Sequence, residues 1–191
     1  MKLRALNLDD MYEILRWRED IPETLRTPYP LTADMQDKYY DDVICNRDSK
    51  TRYFAIIEKV KKITEKPDST HSDFKMEEVD ELIGMGGIEN IEWENRRGEI
   101  SLIINPDYRK RGYGKKAVDL ILDFAFNRLN IDHVWGECYL CGNHLFWENI
   151  VDRLEGEGQY LRARKYFEGN YFSSYYFDIE KSEYLCNRSK L

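Results

Sequence analysis

One stretch constrains this chain more than any other: Ile103-Ile104-Asn105-Pro106-Asp107-Tyr108-Arg109-Lys110-Arg111-Gly112-Tyr113-Gly114-Lys115-Lys116. Behind it, Gly98 to Ile104 reads as a strand. Ahead, Lys115 to Leu129 has the clearest helical period in the chain. Val118, Ile121, Leu122, Ala125 and Leu129 share one side, with Lys116, Asp119, Asp123 and Asn127 opposite. Residues 109–116 hold five cations and no acid, although the formal net charge of the chain is −7. Lys115 and Lys116 fall in the first helical turn, where the positive end of the helix dipole disfavours cations. That end also presents unpaired N–H groups, and Gly112 and Gly114 permit positive φ or a close backbone approach. Cations stacked against the dipole make sense if a polyanion such as a pyrophosphate sits there. A charge run alone is usually a solvated loop. The ordered strand, glycines and helix favour phosphate instead.

Two phosphate-binding motifs compete for this run. A Walker A loop is excluded, because no glycine lies five residues before Gly114-Lys115 and Lys116 replaces its Ser/Thr. A Rossmann-type dinucleotide site is a weaker alternative. Gly112-x-Gly114-x-x-Ala117 fits its glycines and Glu137 follows about 20 residues on. Against it, charged residues and Pro106 separate strand from glycine, and the motif follows an antiparallel pair rather than opening a βαβ unit.

The remaining elements frame this run. Lys2 to Leu6 is a short strand, and Asn7 or Asp9 caps a helix with Met11, Ile14, Leu15 and Trp17 on one side. PETLRTPYPLT, with three prolines, is an ordered loop. Thr32 caps a helix to about Asn46, with Met35, Tyr39, Tyr40 and Val43 inward. Arg52 to Glu58 is a strand, and residues 59–80 form a polar insertion, either a mobile loop or an extended hairpin. Leu82 to Ile91 pairs antiparallel with Gly98 to Ile104. His133 to Leu140 is a strand, NHLFWENIVDRL a short helix with Phe146, Trp147 and Ile150 inward, and Tyr160 to Ile179 a hairpin turning at Glu168-Gly169-Asn170. Strands and crossover helices in this order give an α/β class with a mixed sheet, and 1–191 reads as a single domain.

The basic run resembles the acetyl-CoA signature [Q/R]-x-x-G-x-[G/A] of the GNAT-type N-acetyltransferases, matched by Arg109-Lys110-Arg111-Gly112-Tyr113-Gly114. Gly98 to Pro106 is similar to the family's preceding strand with its Pro exit, and Asn143 to the asparagine after its next strand. The likeness spans nearly the whole chain in element order, and is nearest the ribosomal-protein and polyamine N-acetyltransferase branch. It implies a mostly antiparallel central sheet flanked by helices, with a splayed strand pair that admits the pantetheine arm of acetyl-CoA. Ile103, Ile104, Arg109, Lys110, Arg111, Gly112, Tyr113, Gly114, Lys115 and Asn143 are the cofactor-binding residues so implied.

Acylating an amine from a thioester calls for a base for the amine, a donor for the oxyanion and an acid for the thiolate. Glu137 and Glu99, on the strands that frame the cleft, are the base candidates, Glu137 first; Glu89 and Glu92 come next. A solvated strand-end charge is the ordinary reading of any one of them. The family often carries a tyrosine in the helix after the asparagine as the acid. HLFWENIVDRL has none, so Tyr139 or Tyr113 would have to substitute. Acetyl transfer to a primary amine within a ternary complex is expected, because no activated Ser or Cys is apparent. Candidate acceptors are a polyamine, an aminoglycoside, a protein N-terminus or an amino sugar. Glu19, Asp20 and Glu23 fall where the family's first helices border the acceptor cleft. A CoA-binding module without turnover is the competing class.

Composition bounds the rest. The negative charge argues against a nucleic-acid partner, and no apolar run approaches the roughly 20 residues of a membrane span. The N-terminal residues do not read as a secretory signal. Four cysteines are too few for a disulfide scaffold and suit a cytoplasmic chain. Cys138-x-x-Cys141 near His144 has zinc-like spacing, but Cys138 lies within a strand, and no metal is expected. A homodimer is the assembly anticipated.

Overall fold

Asn7 starts the first helix through a reciprocal cap. Its side chain accepts from the Asp10 N–H at 2.8 Å, and Asp10 accepts from the Asn7 N–H at 2.8 Å. The computed structural model describes residues 1–65 and 74–191. In chain order these form β1 (Lys2–Ala5), α1 (Leu8–Glu19), α2 (Ala33–Tyr39), β2 (Arg52–Glu65), β3 (Phe74–Glu92), β4 (Arg97–Ile104) and α3 (Tyr113–Asn127). There follow β5 (His133–Tyr139), α4 (His144–Leu154), β6 (Glu157–Phe167), β7 (Asn170–Glu180) and α5 (Lys181–Asn187).

The strands make one mixed sheet in the order β1-β2-β3-β4-β5-β7-β6. Every neighbouring pair is antiparallel except β4 with β5. That parallel pair is made by only Arg97↔His133, Gly98↔Val134 and Glu99↔Trp135. Beyond them, Ile100 to Ile104 on β4 and Gly136 to Tyr139 on β5 diverge. This is the splayed pair that the family resemblance implies. It also corrects one expectation: β4, α3 and β5 do form a βαβ unit, but its parallel seam is three residue pairs long.

Helices cover both faces. α3 buries Val118, Ile121, Leu122, Ala125 and Phe126 against Ile88, Ile100 and Val134, with α4 adding Ile150, Val151 and Leu154, while Ala117 packs with Ile56 and Ile83. A fully buried Ile, Leu or Phe of this kind contributes about 1.5–3 kcal/mol. On the other face α1 sets Met11, Ile14 and Trp17 against Ala55, Ile57, Met85 and Ile103.

Several expectations are refined. The helix after Thr32 ends at Tyr39, and a wider π turn, Tyr40–Ile44, follows. Its buried residue is Gln36, which donates to the Met11 carbonyl at 3.1 Å, while Met35 is exposed. The proline-rich loop holds a short 3-10 turn at Pro22–Thr24. Within the segment 59–80, the described residues 59–65 and 74–80 form an antiparallel ladder, with pairs from Lys59↔Asp80 to Glu65↔Phe74. The expected Pro67–Ser69 breaker lies outside the described residues. The chain closes with α5, an element beyond the expected hairpin.

Candidate active site

The splay opens into a cavity of about 970 Å³ that runs between the sheet, α1, α2 and the start of α3 and α4. Glu99, Glu137 and Tyr139 line it, as do Ile103, Ile104, Arg109, Lys110, Gly112, Gly114, Lys115 and Asn143. Eleven of the thirteen residues singled out from the sequence therefore meet in one space. Arg111 and Tyr113 are not in the lining. Arg111 lies over the Tyr108 ring at 5.5 Å, and Tyr113 packs edge-on against the same ring.

At one wall, Gly112 leads into α3 with φ +83°, a conformation that glycine adopts at no steric cost. No side chain caps the helix, so its first N–H groups stay open to the cavity with Lys110 and Lys115 beside them. Gly114 lies under Phe146: a Cβ there would stand 3.1 Å from the ring. Arg109 donates to the Ile104 carbonyl at 3.0 Å and so ties the turn to the strand end. Asn143 precedes α4, but its side chain makes no capping bond. Along β4, the edge that would face β5 beyond Glu99 has no strand partner.

Deeper in, Glu99 is 3% exposed. Its carboxylate takes both Arg26 guanidinium nitrogens and the Asn90 amide, the last at 2.7 Å. A bulge between Glu89 and Glu92, with Asn90 at φ +50°, turns that amide inward. Glu89 stands directly across from Glu99, a like-charge pairing that costs stability in a sheet. Burial pushes the Glu99 carboxyl above its ordinary value, and Glu89 adds to the rise, against Arg26 and Asn90.

Glu137 is placed differently. It accepts from the Ser174 hydroxyl at 2.7 Å and from Arg164 Nε at 3.0 Å. Burial raises its carboxyl, but these two donors outweigh it and leave the group below its ordinary value. Burial raises the Tyr139 phenol more than Arg26 lowers it, so it keeps its proton at neutral pH. Glu92 accepts from the Asn95 amide and lies outside the lining, as do Glu19, Asp20 and Glu23.

The sequence did not point to Arg18, Arg26, Tyr39 or Tyr53, which complete this end of the cavity. Burial lifts Tyr39 to about 12 and Tyr53 well above its usual range. A signal existed for Arg18, which falls on the stripe Met11, Ile14, Arg18 of α1. The loop around Arg26 is held by Lys165, whose Nζ donates to the carbonyls of Pro22, Glu23 and Leu25 at 3.2, 2.7 and 2.6 Å. Cys141 Sγ donates to the Glu23 carbonyl at 3.3 Å. Among the described residues, no group of three or more His, Cys, Asp or Glu is placed to hold a metal ion. Nor is any helix long and apolar enough to cross a membrane.

A family model for the acetyltransferase (GNAT) domain matches residues 1–141. The chain belongs to the GNAT family. As a member it is an acetyl-CoA-dependent N-acetyltransferase, with acetyl-CoA as co-substrate. A curated relative is the uncharacterized N-acetyltransferase p20 of Bacillus licheniformis, 25% identical over 134 residues, or 70% of this chain and 67% of that protein. Among solved structures, the spermidine N-acetyltransferase of Vibrio cholerae in complex with CoA and spermine superposes with a TM-score of 0.75 at 20% identity, covering 96% of this chain and 97% of that one. A dodecameric form of the same Vibrio enzyme matches with a TM-score of 0.72 at 20% identity, covering 98% and 97%. These structures share the fold. In this GNAT chain, an unbroken strand ladder is replaced by the splay at the point where Glu99, Tyr139 and Asn143 converge on one cavity.

Proposed function

We propose that this enzyme transfers the acetyl group of acetyl-CoA to a primary amine by direct attack of the amine on the thioester within a ternary complex. One observation carries the reading: a single cavity connects the uncapped, cation-flanked start of α3 with the buried carboxylate Glu99. The amides of residues 113–115, with Lys110 and Lys115, are proposed to hold the pyrophosphate. The open edge of β4 from Ile100 to Ile104 would align the pantetheine arm.

A protonated alkyl amine has a pKa near 10, so at pH 7 only about one molecule in a thousand can attack. Some group must take that proton. Glu99 is the proton acceptor proposed here, because burial holds its carboxyl above the usual range, towards the working pH. Glu137, first in order from the sequence, ranks behind it because Ser174 and Arg164 outweigh burial and hold its carboxyl below the ordinary value. Tyr139, a phenol kept protonated, is the donor proposed for the leaving thiolate. The reading of a CoA-binding module without turnover draws on α4, which carries Phe146 rather than a tyrosine after Asn143.

Thiol release from acetyl-CoA over an amine panel tests the proposal. Release that depends on amine supports it; CoA binding with no release from any amine would leave the module. Four free cysteines fit a cytoplasmic setting, and a multimer, as in the Vibrio enzyme, is the assembly proposed.

A further inference from the structure

The acetyl-transfer reading leaves the amine open, and the far wall of the cavity narrows it. Arg18 lies one helical turn beyond Ile14 on α1 and lines the cavity. Its guanidinium is half-buried, yet it makes no ion pair, side-chain hydrogen bond or ring stack with any described residue. The other arginines of the cavity are engaged, Arg26 by Glu99 and Arg109 by the Ile104 carbonyl. Arginine stays charged in proteins, and a charge withdrawn from water without a partner is costly.

The Tyr39 and Tyr53 phenols line the cavity beside Arg18. Those same phenols also border Glu89, which lines the cavity across the strand from Glu99 and is hydrogen-bonded by the Tyr53 phenol. Arg18 and Glu89 do not pair with each other. The cavity thus holds one cation without an ion-pair partner among the described residues, Arg18, and the Glu89 carboxylate, both on the wall that Tyr39 and Tyr53 line. Arg18 projects from α1, whereas Gly112, Gly114 and Lys115 line the cavity at the start of α3, so the two lie on different elements of the lining.

We propose that the acceptor is a small amine that also bears a carboxylate, with Arg18 taking the carboxylate in a forked pair and Glu89 facing the ammonium. A planar guanidinium matches a carboxylate with two parallel N–H donors. A polyamine offers only cations and carries no group that can pair with Arg18. The carboxylate could come from a free amino acid or from a peptide.

The test uses acetylation by the intact enzyme of amines that differ by one carboxylate: alanine against ethylamine, lysine against cadaverine, and glycyl-lysine for the peptide form. The expected result is a kcat/KM at least tenfold higher for the carboxylate member of a pair. The lysine and glycyl-lysine arms separate the two sources. Arg18→Gln is expected to collapse that ratio towards one by raising KM for the carboxylate member. Arg18→Lys should restore part of it, and both variants should keep the melting shift given by CoA. Diamines accepted as well as or better than amino acids would overturn the substrate class while leaving acetyl transfer intact. A ratio unchanged in Arg18→Gln would overturn the role of Arg18. No thiol release with any amine would overturn the acetyl-transfer reading itself, and this inference with it.

Discussion

Glu99 is pulled two ways: burial favours its protonated form, while Arg26 and Asn90 favour the charged one. With burial prevailing, loss of activity on acidification should begin above the ordinary carboxylate range, as Glu99 gains its proton. Glu99→Gln is expected to remove that acidic limb and lower kcat at neutral pH by about 10²–10⁴-fold, with CoA affinity kept. Glu137, held low, stays charged over the same range. Glu137→Gln should therefore leave the limb in place, and pH profiles of kcat for the two variants decide between them. The order reverses if the limb disappears with Glu137 instead. A second residue-scale expectation concerns the turn into α3. Valine at position 112 would be forced to φ +83°, and at 114 its Cβ would press on Phe146 at 3.1 Å. A ligand at 100 times its Kd stabilises by about 2.7 kcal/mol, roughly a 5–10 °C rise in melting temperature for a domain of this size. CoA should give that shift in the parent and adenosine should not. Gly112→Val and Gly114→Val should abolish it; an unchanged shift in both would remove the phosphate assignment.

At the scale of elements, β6 shapes the acceptor wall from a distance. Its register slips between Leu161 and Lys165, with Ala163 at φ +52°, and the slip delivers Arg164 to Glu137 and Lys165 to the Pro22–Leu25 carbonyls. Lys165→Met keeps the stem but leaves three carbonyls without their donor, and should cost about 2 kcal/mol. The expected signature is a lower melting temperature together with a raised KM for amine, since the loop carries Arg26. The β2–β3 hairpin behaves oppositely. Joining Lys61 to Glu78 by a short turn cuts the ladder beyond the core strands and should leave the cooperative unfolding transition nearly intact. Loss of that transition would make the arm structural. These contrasts explain what was legible. Lys115 to Leu129 announces itself because its apolar spacing is local, and the Gly112 turn because a single residue type carries it. Arg26–Glu99 joins residues 73 apart and Lys165–Glu23 joins residues 142 apart. No window of sequence contains either pair. α5 escaped for a different reason: it is one short stretch, Lys181–Asn187, whose start is fixed by the Glu180–Glu183 capping box rather than by an apolar stripe.

Across the whole molecule, the sheet is continuous in topology but not in strength. Fourteen residue pairs join β2 to β3, whereas three join β4 to β5. The strands on either side of that seam, β1–β4 and β5–β7, each carry their own antiparallel ladder. The bodies of α3 and α4 bridge them from one face through the core around Ile100 and Val134. Such a thin junction is where local opening costs least. Amide exchange at Gly98, Glu99, Val134 and Trp135 should therefore be faster than at the centre of β3, and should slow when CoA is bound. Equal protection in the free protein would argue for a rigid seam. The consequence reaches beyond binding. If the seam protection rises with CoA as expected, the short β4–β5 junction works as a latch: filling the gap between the strands is what stiffens the frame that carries Glu89 and Glu99.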